Sequence, residues 1–219
     1  MKKLVFGLML VVLMAIPLGN ARAVTNPIEG KMIALDAGHE GTDTGAYNSA
    51  YNLAENDVNL AVVLSLKTKL ELAGATVVLT REGNETIDSR KSRVDIAKEK
   101  CASYSKECDI LISVHHNGSY SPVTDGTMVI YNEKQDKPLA FALHDSLVNS
   151  FGLPDLGYDN GGYGITVHGH LVSALTESYF VTNNNEAYQF LYGNRNGQEV
   201  QALYDGISYY FLNKPTKRK

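Results

Sequence analysis

Short apolar runs alternate with longer amphipathic stretches along this chain, and this alternation limits the fold more than any other feature. Such a pattern is typical of α/β proteins, in which helices cover both faces of a sheet. We predict one α/β domain with a twisted, largely parallel or mixed sheet. Five runs are β-branched or apolar and nearly continuous, as strands buried on both faces tend to be, and they are residues 32–36, 76–80, 109–115, 126–131 and 171–177.

The amphipathic stretches predict four helices. The clearest covers residues 55–73, because its apolar side chains recur at helical spacing and Gly74 follows as a C-terminal stop. The other three lie at about residues 88–100, 136–152 and 199–212, and the asparagines at 183–185 look like a further helix start. Residues 47–53 and 153–169 show no clear pattern, and we expect both segments to be loops.

The first 23 residues have the composition of a secretory signal. Two lysines precede an apolar run at residues 4–18, and small residues with one arginine follow at 21–23. A single-pass anchor is the alternative, but the run is shorter than the roughly 20 apolar residues that span a bilayer. We therefore predict cleavage after Ala23, export to the periplasm, cell wall or exterior, no stable membrane insertion afterwards, and a monomeric domain at residues 24–219.

The net charge limits the possible binding partners, and the cysteine content bears on disulfide formation. Loss of Lys2, Lys3 and Arg22 takes the formal net charge from −4 to −7, and an acidic protein is a poor binder of nucleic acid phosphates. Cys101 and Cys108 are the two cysteines, and an exported chain meets an oxidising compartment. The sequence leaves open whether they form a disulfide or stay free thiols.

Four polar residues follow predicted strands or begin a helix, where ligands of open α/β sheets bind. His39 lies in a glycine-rich turn after the first strand, and Glu55 begins the clearest helix. His115 ends the third strand beside His116, and Glu177 ends the last strand. Two histidines and one carboxylate can hold Zn²⁺ while a coordination position stays open for water, and a second carboxylate can then transfer protons.

Each of these residues also has a simpler interpretation. A histidine in a glycine-rich turn is often structural, and a glutamate at a helix N-terminus stabilises the helix dipole. His116 is an alternative ligand to His115. A strand-end glutamate can form a buried ion pair, here with Arg81 or Arg93. All of these explanations would have to hold at once, and we therefore favour a metal site.

Five segments in order resemble the zinc-dependent N-acetylmuramoyl-L-alanine amidases, which cut bacterial peptidoglycan. Residues 36–46 are similar to the family's Asp-x-Gly-His-Gly-Gly-x-Asp-x-Gly-Ala opening, and residues 113–117 are similar to its Ser-x-His-x-Asn segment. The glutamate-led helix at 55–60, the pair Thr80-Arg81 and the segment 175–183 also match. The resemblance covers nearly the whole chain after the signal.

The resemblance implies one Zn²⁺ per chain with His39, Glu55 and His115 as ligands and Glu177 as the catalytic carboxylate. The implied reaction is hydrolysis of the amide between the lactyl group of N-acetylmuramic acid and L-alanine, with peptidoglycan or muropeptides as the substrate. Asp36 and Asn117 are candidates for orienting the ligands, although exposed turn roles are equally compatible. Tyr158, Tyr163 and Tyr179 are expected near the cleft.

Two features depart from the family pattern. Glu40 stands where relatives have glycine, and His116 where they have a small residue. One rival interpretation is a zinc peptidase or deacetylase that acts on another wall bond, since the metal chemistry is shared. The other is a catalytically silent wall-binding module, although such a module would be expected to have lost at least one of these costly polar groups.

Overall fold

The structure is a computed structural model and describes residues 26–161 and 164–214. In chain order the elements are β1 (Met32–Ala37), β2 (Tyr47–Asn48), β3 (Leu53–Ala54), α1 (Glu55–Leu72), β4 (Thr76–Leu79), α2 (Arg90–Ser103), β5 (Ile110–Asn117), β6 (Thr127–Ile130), α3 (Lys137–Phe151), β7 (Asp155–Asp159), a 3₁₀ turn (Gly164–Val167), β8 (Ser173–Phe180), α4 (Asn184–Tyr192) and α5 (Arg195–Asn213). The main sheet has six strands in the order β4-β1-β5-β8-β6-β7, and β2 and β3 form a small hairpin.

Helices cover both faces of the sheet, as the sequence predicts. Along β1, Ile33 and Leu35 pack into a core with α1, α3 and α5, whereas Met32 and Ala34 pack with α2 and the 3₁₀ turn on the opposite face. This alternation is the two-residue period of a strand that is buried on both sides. Neighbouring strands are parallel except β6 and β8, which are antiparallel, so the sheet is mixed.

The expectation that residues 47–53 and 153–169 are loops is partly wrong. The first segment contributes to the β2–β3 hairpin, and the second contains β7 and the 3₁₀ turn. Strand β7 is mostly exposed because it lies at the edge of the sheet, and it therefore lacks the apolar run used to recognise strands. Helix α5 starts at Arg195, earlier than predicted, whereas α4 begins as the asparagines indicate, with Asn183 as its cap.

Cys101 and Cys108 form a disulfide, with a Cα–Cα distance of 5.6 Å. The bond joins the last turn of α2 to the chain that enters β5. Both residues are buried beside α2 and β1, so the disulfide reinforces the core on that face. The predicted signal peptide and Tyr163 lie outside the described residues. Within residues 26–161 and 164–214, no helix has the length and apolar content needed to cross a bilayer.

Candidate metal centre

The carboxyl edge of the sheet brings together three of the four predicted site residues. His39 follows β1, Glu55 begins α1, and His115 lies in the last part of β5. His39 Nε2 lies 3.2 Å from Glu55 Oε2, and His115 Nδ1 lies 3.1 Å from Glu55 Oε1. Each of the three residues offers one ligand atom, and these three atoms all lie within 4.8 Å of one another. Two imidazoles and one carboxylate are a donor set that suits Zn²⁺.

Two glycines make room for these side chains. A Cβ atom on Gly38 would lie 2.2 Å from the ring of His115, and one on Gly45 would lie 2.4 Å from Glu55 Oε2. His39 itself has a φ of 56°, a left-handed conformation that is rare for residues other than glycine. Its backbone is held there by Arg93, whose guanidinium donates to the carbonyl of His39 at 3.0 Å.

Glu55 is fixed by backbone donors as well as by the two histidines. The amide of Ala46 donates to Oε2 at 2.8 Å, and the amide of His116 donates to Oε1 at 3.1 Å. Burial on its own raises the pKa of Glu55, but hydrogen bonds and charge from His115 and His39 outweigh it and hold the pKa far below its usual range. Glu55 is therefore a carboxylate near neutral pH.

The pKa of His39 shifts in the opposite direction. Burial lowers it, but the hydrogen bond and charge of Glu55, together with those of Asp43, raise it to about 9. Asp43 Oδ2 lies 2.9 Å from Nδ1 of His39, on the far side of the ring from Glu55. This contact orients the imidazole so that Nε2 faces the cluster. The sequence interpretation did not single out Asp43, although its position four residues after His39 in the same turn was a usable signal.

Glu177 lies beside the three clustered residues, on the neighbouring strand. It is the register partner of His115 on the adjacent parallel strand β8, so both side chains point to the same face. Both line a cavity of about 330 Å³ that also contains His39. Burial, and then the charge of Glu55, raise the pKa of Glu177 to about 8, although His39 opposes the shift. Its Oε2 atom is buried without a hydrogen-bond partner.

The alternative ion pairs for Glu177 are wrong, because both arginines have other partners. Arg81 donates to backbone carbonyls, including those of Ala37 and Gly38. Arg93 pairs with the fully buried Asp36 at 2.7 Å.

Asp36 and Asn117, the two candidates for orienting the ligands, differ in role. Burial raises the pKa of Asp36, but Arg93 and two hydroxyl donors outweigh it, so its pKa is lowered. Asp36 therefore anchors Arg93, which in turn holds the turn at His39. Asn117 instead accepts a bond from the next residue, Gly118, at 3.1 Å, which is a local turn role.

Two of the three tyrosines expected near the cleft are among the described residues, and neither lines the cavity. Tyr179 is fully buried and packs against His116, with ring centroids 4.3 Å apart. Tyr158 packs on His144 at 4.1 Å. Glu40, the acidic departure from the family pattern, pairs with Arg93 at the cavity wall.

The comparisons with known proteins agree with this geometry. A family model described as N-acetylmuramoyl-L-alanine amidase matches residues 33–209. The chain is 30% identical over 195 residues to the N-acetylmuramoyl-L-alanine amidase LytC of Bacillus subtilis. This alignment covers 87% of this chain and 38% of LytC. It is 28% identical over 187 residues to the probable cell wall amidase LytH of Staphylococcus aureus, covering 85% of this chain and 60% of LytH.

A solved structure has the same fold. The catalytic domain of the amidase CwlV from Bacillus (Paenibacillus) polymyxa superimposes with a TM-score of 0.74 at 26% identity, and the match covers 84% of this chain and 99% of that domain. The chain thus spans only part of LytC and LytH but nearly all of one isolated catalytic domain. The family match, the fold and the clustered polar residues agree, and the chain belongs to the N-acetylmuramoyl-L-alanine amidase family.

Proposed function

We propose that this chain is a zinc-dependent hydrolase that cuts the amide bond between the lactyl group of N-acetylmuramic acid and L-alanine in peptidoglycan. The observation that carries the proposal is the grouping of His39, Glu55 and His115, together with the cavity that His39, His115 and Glu177 line. The relatives named above as amidases support the choice of bond. The names of LytC and LytH support peptidoglycan as the substrate class.

His39, Glu55 and His115 would hold one zinc ion per chain. When bound, Zn²⁺ supplies a Lewis acid that polarises a carbonyl group and lowers the pKa of water. The two histidines enter this site with Nε2 and Nδ1 directed at Glu55. The other nitrogen of His39, Nδ1, donates a hydrogen bond to the Asp43 carboxylate, and this bond keeps the ring in place.

Glu177 would be the group that moves protons. A carboxyl group with a pKa near the working pH can accept a proton from the attacking water and return it to the leaving amine of L-alanine. The buried and unpartnered Oε2 atom of Glu177 is available for this exchange. Since burial and the charge of Glu55 favour the neutral form, a nearby cation would be needed to keep Glu177 ionised before the reaction.

Digestion of defined muropeptides tests the proposal. Purified protein should release intact stem peptides with a free L-alanine amino group, a chelator should abolish the release, and added Zn²⁺ should restore it. Glu177→Gln should fold and bind zinc but lose most hydrolysis. Glu186→Gln, which changes a buried glutamate outside the cavity, should retain activity.

The same digest separates the rival functions. Shortened stem peptides would indicate a peptidase, and deacetylated sugars would indicate a deacetylase. Binding without any turnover would indicate a silent wall-binding module. Full activity of Glu177→Gln would show that another group transfers the proton.

We also propose that the protein acts outside the cytoplasm as a monomer, after removal of residues 1–23. The names of the relatives as wall amidases support this location. N-terminal sequencing of the exported protein should begin at Val24, and a start at Met1 would contradict the cleavage. A sedimentation mass of one chain would support the monomer.

A further inference from the structure

Three buried polar side chains connect Glu55 to helix α5. Asn59 Nδ2 donates to Glu55 Oε1 at 3.3 Å and to the Gly38 carbonyl at 3.1 Å. His116 Nδ1 lies 2.6 Å from Asn59 Oδ1, and His116 Nε2 lies 3.0 Å from Glu199 Oε2. All three side chains are at most 1% exposed. We call this arrangement the Asn59–His116–Glu199 chain.

The direction of these hydrogen bonds follows from the donors and acceptors available. The Asn59 amide nitrogen donates to two oxygens, so its Oδ1 atom is the acceptor and His116 Nδ1 must carry a hydrogen. The opposite ring nitrogen then faces the Glu199 carboxyl group, and one proton lies between them. The His116 ring is therefore held at both nitrogens, and Tyr179 packs on its face.

His116 also acts through its backbone, because its amide donates to Glu55 Oε1. The pairing between β5 and β8 shifts register between His115 and Asn117, so the regular ladder is interrupted at His116. The anchored His116 ring adds a constraint at this interruption. It fixes both the amide that orients Glu55 and the strand position from which His115 projects.

We propose that Glu199 is a positioning residue for the metal centre, which acts through His116 and Asn59 to orient Glu55 and the end of β5. The inference rests on the proposed zinc site and adds a residue of α5 whose hydrogen bond goes to His116, not to one of the three ligands. In metal sites, the groups that hold ligands in place typically contribute 10- to 100-fold to metal affinity. Loss of the Glu199 carboxyl group should therefore weaken zinc binding.

Glu186 provides a matched control. Like Glu199, it is a glutamate with no solvent exposure. It pairs with Arg195 at the start of α5, at 2.5 Å and 2.8 Å, and has no hydrogen bond to the Asn59–His116–Glu199 chain. Its replacement removes a buried carboxylate that is not hydrogen-bonded to that chain.

The test measures the zinc dissociation constant of folded, metal-free protein by competition with a chelator, well below the unfolding temperature. Glu199→Leu should bind zinc about tenfold or more weakly, because His116 Nε2 loses its partner. Glu199→Gln should recover most of the affinity, since its amide can donate to that nitrogen. Glu186→Leu should lower the unfolding temperature without changing the zinc affinity.

Equal affinity of Glu199→Leu and wild type would overturn the inference and leave the proposed function intact, whereas a wild type that binds no zinc would overturn the function itself. If Glu186→Leu weakened zinc binding to the same degree, Glu199 would only stabilise the fold in general, and the positioning role would be overturned. A measurement on the wild type covers the case in which Glu199→Leu does not fold. Nitrogen-15 NMR of the metal-free protein should show a hydrogen on His116 Nδ1, and an unprotonated Nδ1 would refute the chain.

Discussion

Glu177 should make the stability of the metal-free protein depend on pH in a way that Glu177→Gln removes. Its pKa is raised from 4.5 to about 8, first by burial and then by the charge of Glu55. A raised pKa means that the fold favours the neutral carboxyl group. The contribution to stability is therefore fully present below pH 4.5 and is lost as pH rises towards 8.

The size of the effect follows from the shift. Each pKa unit corresponds to about 1.4 kcal/mol, so ionisation of Glu177 costs the metal-free fold about 5 kcal/mol at its limit. The free energy of unfolding of Glu177→Gln minus that of wild type should exceed its low-pH value by about 1 kcal/mol at pH 5, about 2 kcal/mol at pH 6 and about 4 kcal/mol at pH 8. The glutamine variant keeps the shape of the side chain but cannot ionise.

Urea unfolding of both metal-free proteins between pH 5 and pH 9 measures this difference. The informative quantity is the change with pH, because any constant offset reflects the substitution itself. Glu99→Gln, which removes an exposed carboxylate of α2, controls for the change in net charge. A difference between Glu177→Gln and wild type that stays constant across this range would refute the burial argument. Added Zn²⁺ should flatten the slope, since a cation favours ionised Glu177.

Two further predictions concern packing at the site and the disulfide. Gly38→Ala places a Cβ atom 2.2 Å from the His115 ring, so zinc binding should weaken at least about tenfold. Gly30→Ala, whose Cβ atom meets no other atom within 4 Å, should leave the zinc affinity unchanged. Equal zinc affinities of the two variants in a chelator competition would contradict this prediction. Replacing both Cys101 and Cys108 with serine should lower the free energy of unfolding by about 2 kcal/mol. Zinc affinity should not change in that variant, because neither cysteine lines the cavity. A large loss of zinc affinity would show that the disulfide also supports the metal centre.

The sequence predicts the buried strands and the cluster they carry for a physical reason. Strands covered on both faces need apolar side chains at nearly every position, so β1, β5 and β8 stand out, and polar residues at their ends are conspicuous. His115 and Glu177 were identifiable in this way. The edge strand β7 has no such signal, since it is mostly exposed and rich in aspartate and glycine.

The supporting contacts are harder to predict, because they join distant parts of the chain. His116 and Glu199 are separated by 83 positions, and the pairing depends on how α5 packs against α1. Periodicity shows only that Glu199 lies on a helix. The same applies to Arg93, which reaches Asp36 across 57 positions. A buried charge can be inferred from the sequence, but its partner requires the fold.

The most direct test of the account is a crystal structure of the zinc-loaded protein with anomalous scattering at the zinc edge. We predict one ion per chain bound by His39 Nε2, Glu55 and His115 Nδ1, with bonds of about 2.0 to 2.2 Å. Glu177 should face the remaining coordination position without binding the ion as a fourth protein ligand. An ion held by other residues, or hydrolysis of muropeptides by protein that contains no metal, would contradict the account.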